Sequence, residues 1–193
     1  MKTLIALLLA IVTTSIAYGQ TVENTNFSTI VYKVSDETRD NLMEMEKFTS
    51  CSYFDRKRVS IGYGSQLLEN NKPVPLHIKG KRFCISKERA VKLFDNTIKR
   101  KANLIILYSM DNSIKINQKI LDSLVSFSYN VGSAGLFKSK IMFYLQNNKC
   151  HLAAKTMLKY NKSNGEILKG LVIRRHYEAK LLLSGCKELN NDN

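Results

Sequence analysis

The chain of 193 residues has no Cys-x-x-Cys pair, no phosphate-cradling glycine loop and no serine nucleophile elbow. Zinc-ribbon, phosphate-loop and serine acyl-transfer chemistries are set aside on that ground. Histidine is scarce: His77, His151 and His176 stand far apart, without acidic or cysteine companions at metal-ligand spacing. No metal and no cofactor is expected. After the apolar run Leu4 to Val12, no segment approaches the ~20 apolar residues that a membrane span needs. There is no internal repeat or low-complexity tract apart from the polar end of the chain. Acidic residues number 16 against 30 Lys and Arg, which gives a formal net charge of +14. A field of that sign raises encounter rates with polyanions.

What is present begins with a leader. Lys2, the apolar run, Thr13-Thr14-Ser15 and the small-residue pattern Ala17-Tyr18-Gly19 read as a cleavable secretory signal over residues 1–19. The expected product starts at Gln20, is secreted, and has lost only Lys2 from its charge, leaving +13 of the +14. For an exported chain, wall polymers, lipopolysaccharide or anionic lipid headgroups are nearer partners than nucleic acid. Cys51, Cys84, Cys150 and Cys186 are an even number in such a chain, so two disulfides are expected. Three pairings remain open; a Cys150–Cys186 bond would tie down the C-terminal helix.

Residues 20–34 show no clear period and read as a loose leader with a glycosylation sequon at Asn26-Phe27-Ser28. Ser35 then caps an expected helix from Asp36 to about Lys47, with Leu42 and Met45 on its apolar stripe. Ser52 to Asp55 and Val59 to Tyr63 read as two strands about the charged turn Arg56-Lys57-Arg58. Pro73, Pro75 and Gly80 mark an irregular connection, after which Ser86 caps a helix leading into the basic stretch Ile98 to Lys101. Ile120, Leu121, Leu124, Val125, Phe127 and Ser128 recur at helical spacing, and a break over Asn130 to Gly135 leads to the next helix. Further helices are expected over Leu152 to Tyr160 and Gly170 to Leu183, with a turn at Asn164-Gly165 and a flexible tail over 187–193.

Two carboxyl groups flanking a glycosidic bond can cleave it, one as acid and one as base. Glu46 falls at a helix end, where the dipole and a cleft wall disfavour an anion, and Asp55 falls at the rim of the hairpin beside three basic residues. Glu46 is therefore the candidate acid and Asp55 the candidate base. Glu44 is a competitor, but it points about 200° away from Glu46 on a helix. Two acids at this spacing are by themselves a weak signal, since surface carboxylates are common.

Glu46, Tyr53, Asp55, Ser60-Ile61-Gly62-Tyr63-Gly64, Ser126 to Gly132 and Gly170-Leu171 with Arg174, Arg175, Glu178 and Leu181 stand in one order along the chain. In that order and spacing the sequence resembles the phage-type lysozymes. The resemblance covers nearly all of residues 35–185. It implies an α+β, mainly helical, lysozyme-like fold over 35–186, with a small β-hairpin lobe and a larger helical lobe bounding a cleft. It also implies a muramidase that cuts the β-1,4 bond between N-acetylmuramic acid and N-acetylglucosamine in bacterial peptidoglycan; on oligomeric state the sequence is silent, with a monomer as the default. If Asp55 directs water, the reaction inverts the anomeric centre. Ser60 would hold the attacking water; Gln66, Tyr129 and Ser139 would line the saccharide cleft, with Arg174 or Arg175 facing Glu46.

The family's Thr is replaced by Ser60 and its frequent His by Ser65, and the hairpin turn is one residue shorter and has no glycine. Two further readings stand beside the first, one motivated by these departures and the other by the basic helical segments. One is a catalytically impaired peptidoglycan-binding protein. The other is a cationic protein acting on membranes through segments such as Lys92 to Lys101.

Overall fold

The computed structural model describes residues 33–55 and 58–191. The signal, most of the leader with its sequon, and the Arg56-Lys57 turn lie outside these residues. Helix α1 (Asp36–Glu46) starts where Ser35 accepts from the Thr38 N–H at 3.2 Å, and Asp36 and Glu37 occupy its first turn. It leads into the antiparallel hairpin β1 (Thr49–Asp55) and β2 (Arg58–Gly62), with Tyr53 opposite Ser60 and Asp55 opposite Arg58. Arg58, expected in the turn, thus belongs to the second strand. The outer edge of β1 is closed by the segment before the next helix: Ser52 N donates to Phe83 O at 2.8 Å and Ile85 N to Ser50 O at 2.8 Å. A Cys51–Cys84 disulfide fastens that edge.

The stretch expected to be irregular contains a second hairpin, β3 (His77–Ile78) and β4 (Lys81–Arg82). Strands this short have no period to read in the sequence. Helix α2 (Lys87–Asp111) follows, capped by Ser86. Its buried Ala90, Leu93, Phe94, Ile98, Ala102 and Ile105 run at helical spacing along one face. A ladder of rings joins the hairpin to the helices through this face: Tyr63 lies 5.7 Å from Phe94, and Phe94 lies 5.4 Å from Tyr129.

Helix α3 (Gln118–Val131) is capped by Asn117 and is buried on every side from Ile120 to Ser128, the mark of a central helix. Gly132 alone makes the break, since α4 (Ser133–Phe137) resumes at once and α5 (Lys140–Gln146) follows. The expected gap from Asn130 to Gly135 is corrected accordingly: a single residue at φ 84° suffices to turn the chain. Helix α6 (Cys150–Met157), the hairpin β5 (Lys162–Ser163) and β6 (Glu166–Ile167), and α7 (Lys169–Asn191) complete the described chain.

Helix α7 lies against α3. A Cβ on Gly185 would come within 2.7 Å of Asn117 Oδ1 and Ile120 Cγ1, so only glycine permits this approach. The flexible tail expected from residue 187 is corrected as well, because the helix continues to Asn191. Glu188 is held there by Lys119 and by Asn117 Nδ2 at 3.3 Å, and Cys186 is bonded to Cys150 on α6. The two bonds resolve the three open pairings as Cys51–Cys84 and Cys150–Cys186. The architecture is the expected mainly helical α+β one. No helix among the described residues is long and apolar enough to cross a membrane.

Candidate active site

Glu46 occupies the last position of α1, and its side chain is 21% exposed. Arg174 on α7 donates from Nη1 to Glu46 Oε1 at 2.5 Å. That guanidinium is itself buried, and each of its other nitrogens donates once: Nη2 to Ser126 O at 2.9 Å and Nε to Glu178 Oε1 at 3.2 Å. Arg174, rather than Arg175, is the arginine that faces Glu46. Arg175 points into the core, its guanidinium 4.7 Å from the centre of the Phe127 ring, where Nη2 donates to Glu178 Oε1 at 2.8 Å. With no exposed surface, Arg175 cannot touch a saccharide.

Glu178 is the hub of this network. It has no exposed surface, accepts from Ser126 Oγ at 2.7 Å, and binds both arginines. Burial pushes its carboxyl upward, against the pull of Arg175 and Arg174. Burial likewise lowers Arg175, against the pull of Glu178.

Asp55 ends β1 and is exposed, and its carboxylate makes no hydrogen bond or ion pair among the described residues. It lines a cavity of about 850 Å³ together with Arg58, Gln66, Arg100, Lys101 and Tyr129. Gly64 lines it too, at φ 83°, and a Cβ there would lie 3.4 Å from Glu46 Oε2. The Glu46 carboxylate therefore sits directly behind the Gly64 wall. Tyr53, on the strand between the acids, has its phenol raised first by burial and then by the charges of Asp55 and Glu46. Both acids thus act electrostatically on one hydroxyl.

Ser60 is fully buried across from Tyr53, and its Oγ finds no hydrogen-bond partner among the described residues. Ser65 is buried beside it, its backbone exchanging two 3.0 Å bonds with Ile61. Gln66 accepts from Arg58 Nη1 at 3.2 Å at the cavity wall. Tyr129 donates to Tyr63 O at 2.6 Å, so its ring, not its hydroxyl, is what the cavity meets. Ser139 is not on the cavity lining. Its hydroxyl donates to Leu136 O at 2.6 Å and accepts from Ile141 N, which makes it the cap of α5.

Sequence reasoning passed over two cavity residues, Arg100 and Lys101. Lys101 Nζ donates to Ser128 O at 2.9 Å and lies 5.6 Å from the centre of the Tyr129 ring. Burial pulls its amine down to about 8, with Glu46 opposing and Arg100 and Arg174 assisting. The signal was partial, for helical spacing groups these residues on one face without saying that the face meets a cavity. Thr97, Arg100, Lys101 and Leu104 fall at i, i+3, i+4 and i+7 on α2, one face of a helix, and all four line the cavity.

Comparison with known proteins gives this geometry its relatives. Residues 43–178, well over half of the chain and including both carboxylates and Arg174, match the phage lysozyme family. The chain is 38% identical over 103 residues to an endolysin of Bacillus phage B103 and 40% identical over 72 residues to an endolysin of Bacillus phage PZA. Those matches cover 52% and 37% of this chain but only 37% and 28% of the relatives, so the chain spans little more than a third of the first. Among solved structures, the endolysin of Escherichia coli O157:H7 phage FAHEc1 superposes with a TM-score of 0.60 at 24% identity, over 78% of this chain and 93% of that one. The muramidase domain of SpmX from Asticaccaulis excentricus gives 0.59 at 22%, over 78% and 97%. At those identities the structures establish the fold. The matched segment carries Glu46, Asp55 and Arg174 on that fold, and the chain belongs to the phage lysozyme family.

Proposed function

We propose that the protein is an exported muramidase that cuts the β-1,4 bond between N-acetylmuramic acid and N-acetylglucosamine in bacterial peptidoglycan. The observation that carries this reading is an exposed carboxylate on the cavity lining, Asp55, with a second and unlike one, Glu46, just behind the lining residue Gly64. Glu46 is half-sequestered behind Gly64 and fixed by Arg174, while Asp55 stands exposed on the hairpin rim. A fixed, partly desolvated carboxyl suits proton delivery to a leaving oxygen, and an exposed one suits activation of water on the opposite face of the sugar. Inversion follows if the two are ~6.5–9.5 Å apart, enough room for the water.

Ser60, expected to hold the hydrolytic water, has an unspent hydroxyl but no exposed surface and no place on the cavity lining, so Asp55 alone carries that role in this reading. Gln66 and the Tyr129 ring contact the sugar chain, and Arg174 orients Glu46. The charge of +13 left of the +14 once the signal with Lys2 is removed favours an anionic wall as target. The relatives' printed names, endolysin and muramidase domain, agree with a wall substrate.

The test is release of soluble muropeptides from purified sacculi by the oxidised chain, with Glu46→Gln and Asp55→Asn beside it. Each substitution is expected to lower release about 10²–10⁴-fold. NMR of the first-formed anomer should show inversion. Release unaffected by either substitution would sink the assignment. Binding to sacculi with no release by the unaltered chain would favour the impaired, peptidoglycan-binding reading.

A further inference from the structure

Besides Asn26-Phe27-Ser28 the chain carries a second glycosylation sequon, Asn161-Lys162-Ser163, and this one lies within the described residues. Asn161 stands between α6 and the first residue of β5, partly exposed, with Lys162 fully exposed beside it. The hairpin that follows reverses at Asn164 and Gly165, at φ 52° and 87°, a two-residue Asn-Gly turn that makes no demand on Asn161. The fold uses Asn161 through its backbone alone. Its carbonyl accepts from Leu168 N at 3.0 Å, while neither its side-chain amide nor the Ser163 hydroxyl makes a hydrogen bond among the described residues.

The same place carries an uncovered apolar patch. Ile167, paired with Lys162 across the hairpin, is 63% exposed; Leu168, bonded to Asn161, is 43% exposed; and Tyr160, its neighbour in the chain, 37%. None of these residues lines the cavity, so bulk added here does not occupy the cleft. We infer that Asn161 is an N-glycosylation site, and that the glycan attached there covers the patch of Tyr160, Ile167 and Leu168. The donor is an oligosaccharide linked to a lipid pyrophosphate. Asn161 Nδ2 forms a bond to the anomeric carbon of the first sugar as the bond from that carbon to the phosphate oxygen breaks. The lipid pyrophosphate leaves with the electron pair, and the proton lost by the amide passes to it. Acceptor sequons of this form belong to surface segments of exported chains, so the inference rests on the exported reading and not on the chemistry at the cavity. Asn161 also emerges between Cys150 and Cys186, before the bond between them can close over its segment.

The test expresses the full chain in a glycosylating eukaryotic cell behind its own leader and, in a second arm, behind a leader of that cell. Peptide mapping by mass spectrometry of the protein that enters the secretory pathway is expected to find Asn161 glycosylated in most molecules. Ser163→Ala and Asn161→Gln should each lose this glycan and leave the release of muropeptides unchanged. Enzymatic removal of the glycan from the folded, unaltered chain should lengthen its retention on a hydrophobic-interaction column, a comparison that needs no variant to fold. Unmodified Asn161 in both arms, or a glycan that survives Ser163→Ala, overturns the site, and retention indifferent to the glycan overturns the cover. Occupancy behind the second leader alone would uphold the site and overturn only the reading of residues 1–19 as a signal.

Discussion

At Lys101 a single ammonium is held where it destabilises the fold. In the folded chain it loses its proton near pH 8, whereas in the unfolded chain it keeps it until about 10.5. Between those values the unfolded state binds more protons, so stability rises with pH across that window and the penalty is complete below it. Lys101→Met removes the buried charge and keeps the bulk of the stem. It is expected to raise the melting temperature at pH 7, with a gain of about 1–3 kcal/mol that vanishes by about pH 10, measured by thermal unfolding over that range. The same residue shows what the sequence hides. Glu46, Asp55 and Ser60 could be picked out because motifs surround them, but Lys101 sat in a basic run whose cavity-facing side is defined only once α3 is packed against α2. Ser139 misled in the opposite sense, for a serine at a helix start reads alike whether it caps or binds.

Among elements, the contact of α7 with α3 carries the greatest mechanical demand. Two arginines and Glu178 are buried together there, and removing one member leaves an uncompensated charge. Glu178→Gln is expected to cost about 3–5 kcal/mol in chemical denaturation and to lower activity by releasing Arg174 from its fixed place. Gly185→Val, at the closest approach of the two helices, should destabilise by at least about 1–3 kcal/mol without touching the site. An unchanged denaturation midpoint in either variant would contradict the packing described. The long helices were legible because caps and apolar periods coincide at Ser35, Ser86 and Asn117. The hairpins of two-residue strands, His77–Ile78 with Lys81–Arg82 and Lys162–Ser163 with Glu166–Ile167, were not. These strands are almost wholly exposed, and their order comes from pairing and from flanking hydrogen bonds, Phe83 N to Leu76 O at 3.1 Å and Leu168 N to Asn161 O at 3.0 Å.

For the molecule as a whole, the fold class followed from the order of several motifs rather than from any one of them, and the cleft lies where that order brings the hairpin and its following loop opposite α2, the end of α3 and α4. Glu46 and Arg174 meet across 128 positions of sequence, a contact that no local rule foretells. The two disulfides hold the hairpin edge and the end of α7. Each closes a loop of some 35 residues. Loop-closure entropy gives about 4 kcal/mol for each, so reduction is expected to lower the melting temperature by many degrees, read by comparing scans with and without reductant. A melting point indifferent to reductant would argue against both bonds.

The disulfide pattern has a further consequence for how such a chain is made. The first cysteine is bonded to the second and the third to the fourth, so the loops neither nest nor interlace. A chain threaded N-terminus first into an oxidising compartment meets each correct thiol before the next wrong one has emerged. Native pairing then coincides with the order of arrival, and the protein should mature in the absence of a disulfide-shuffling catalyst.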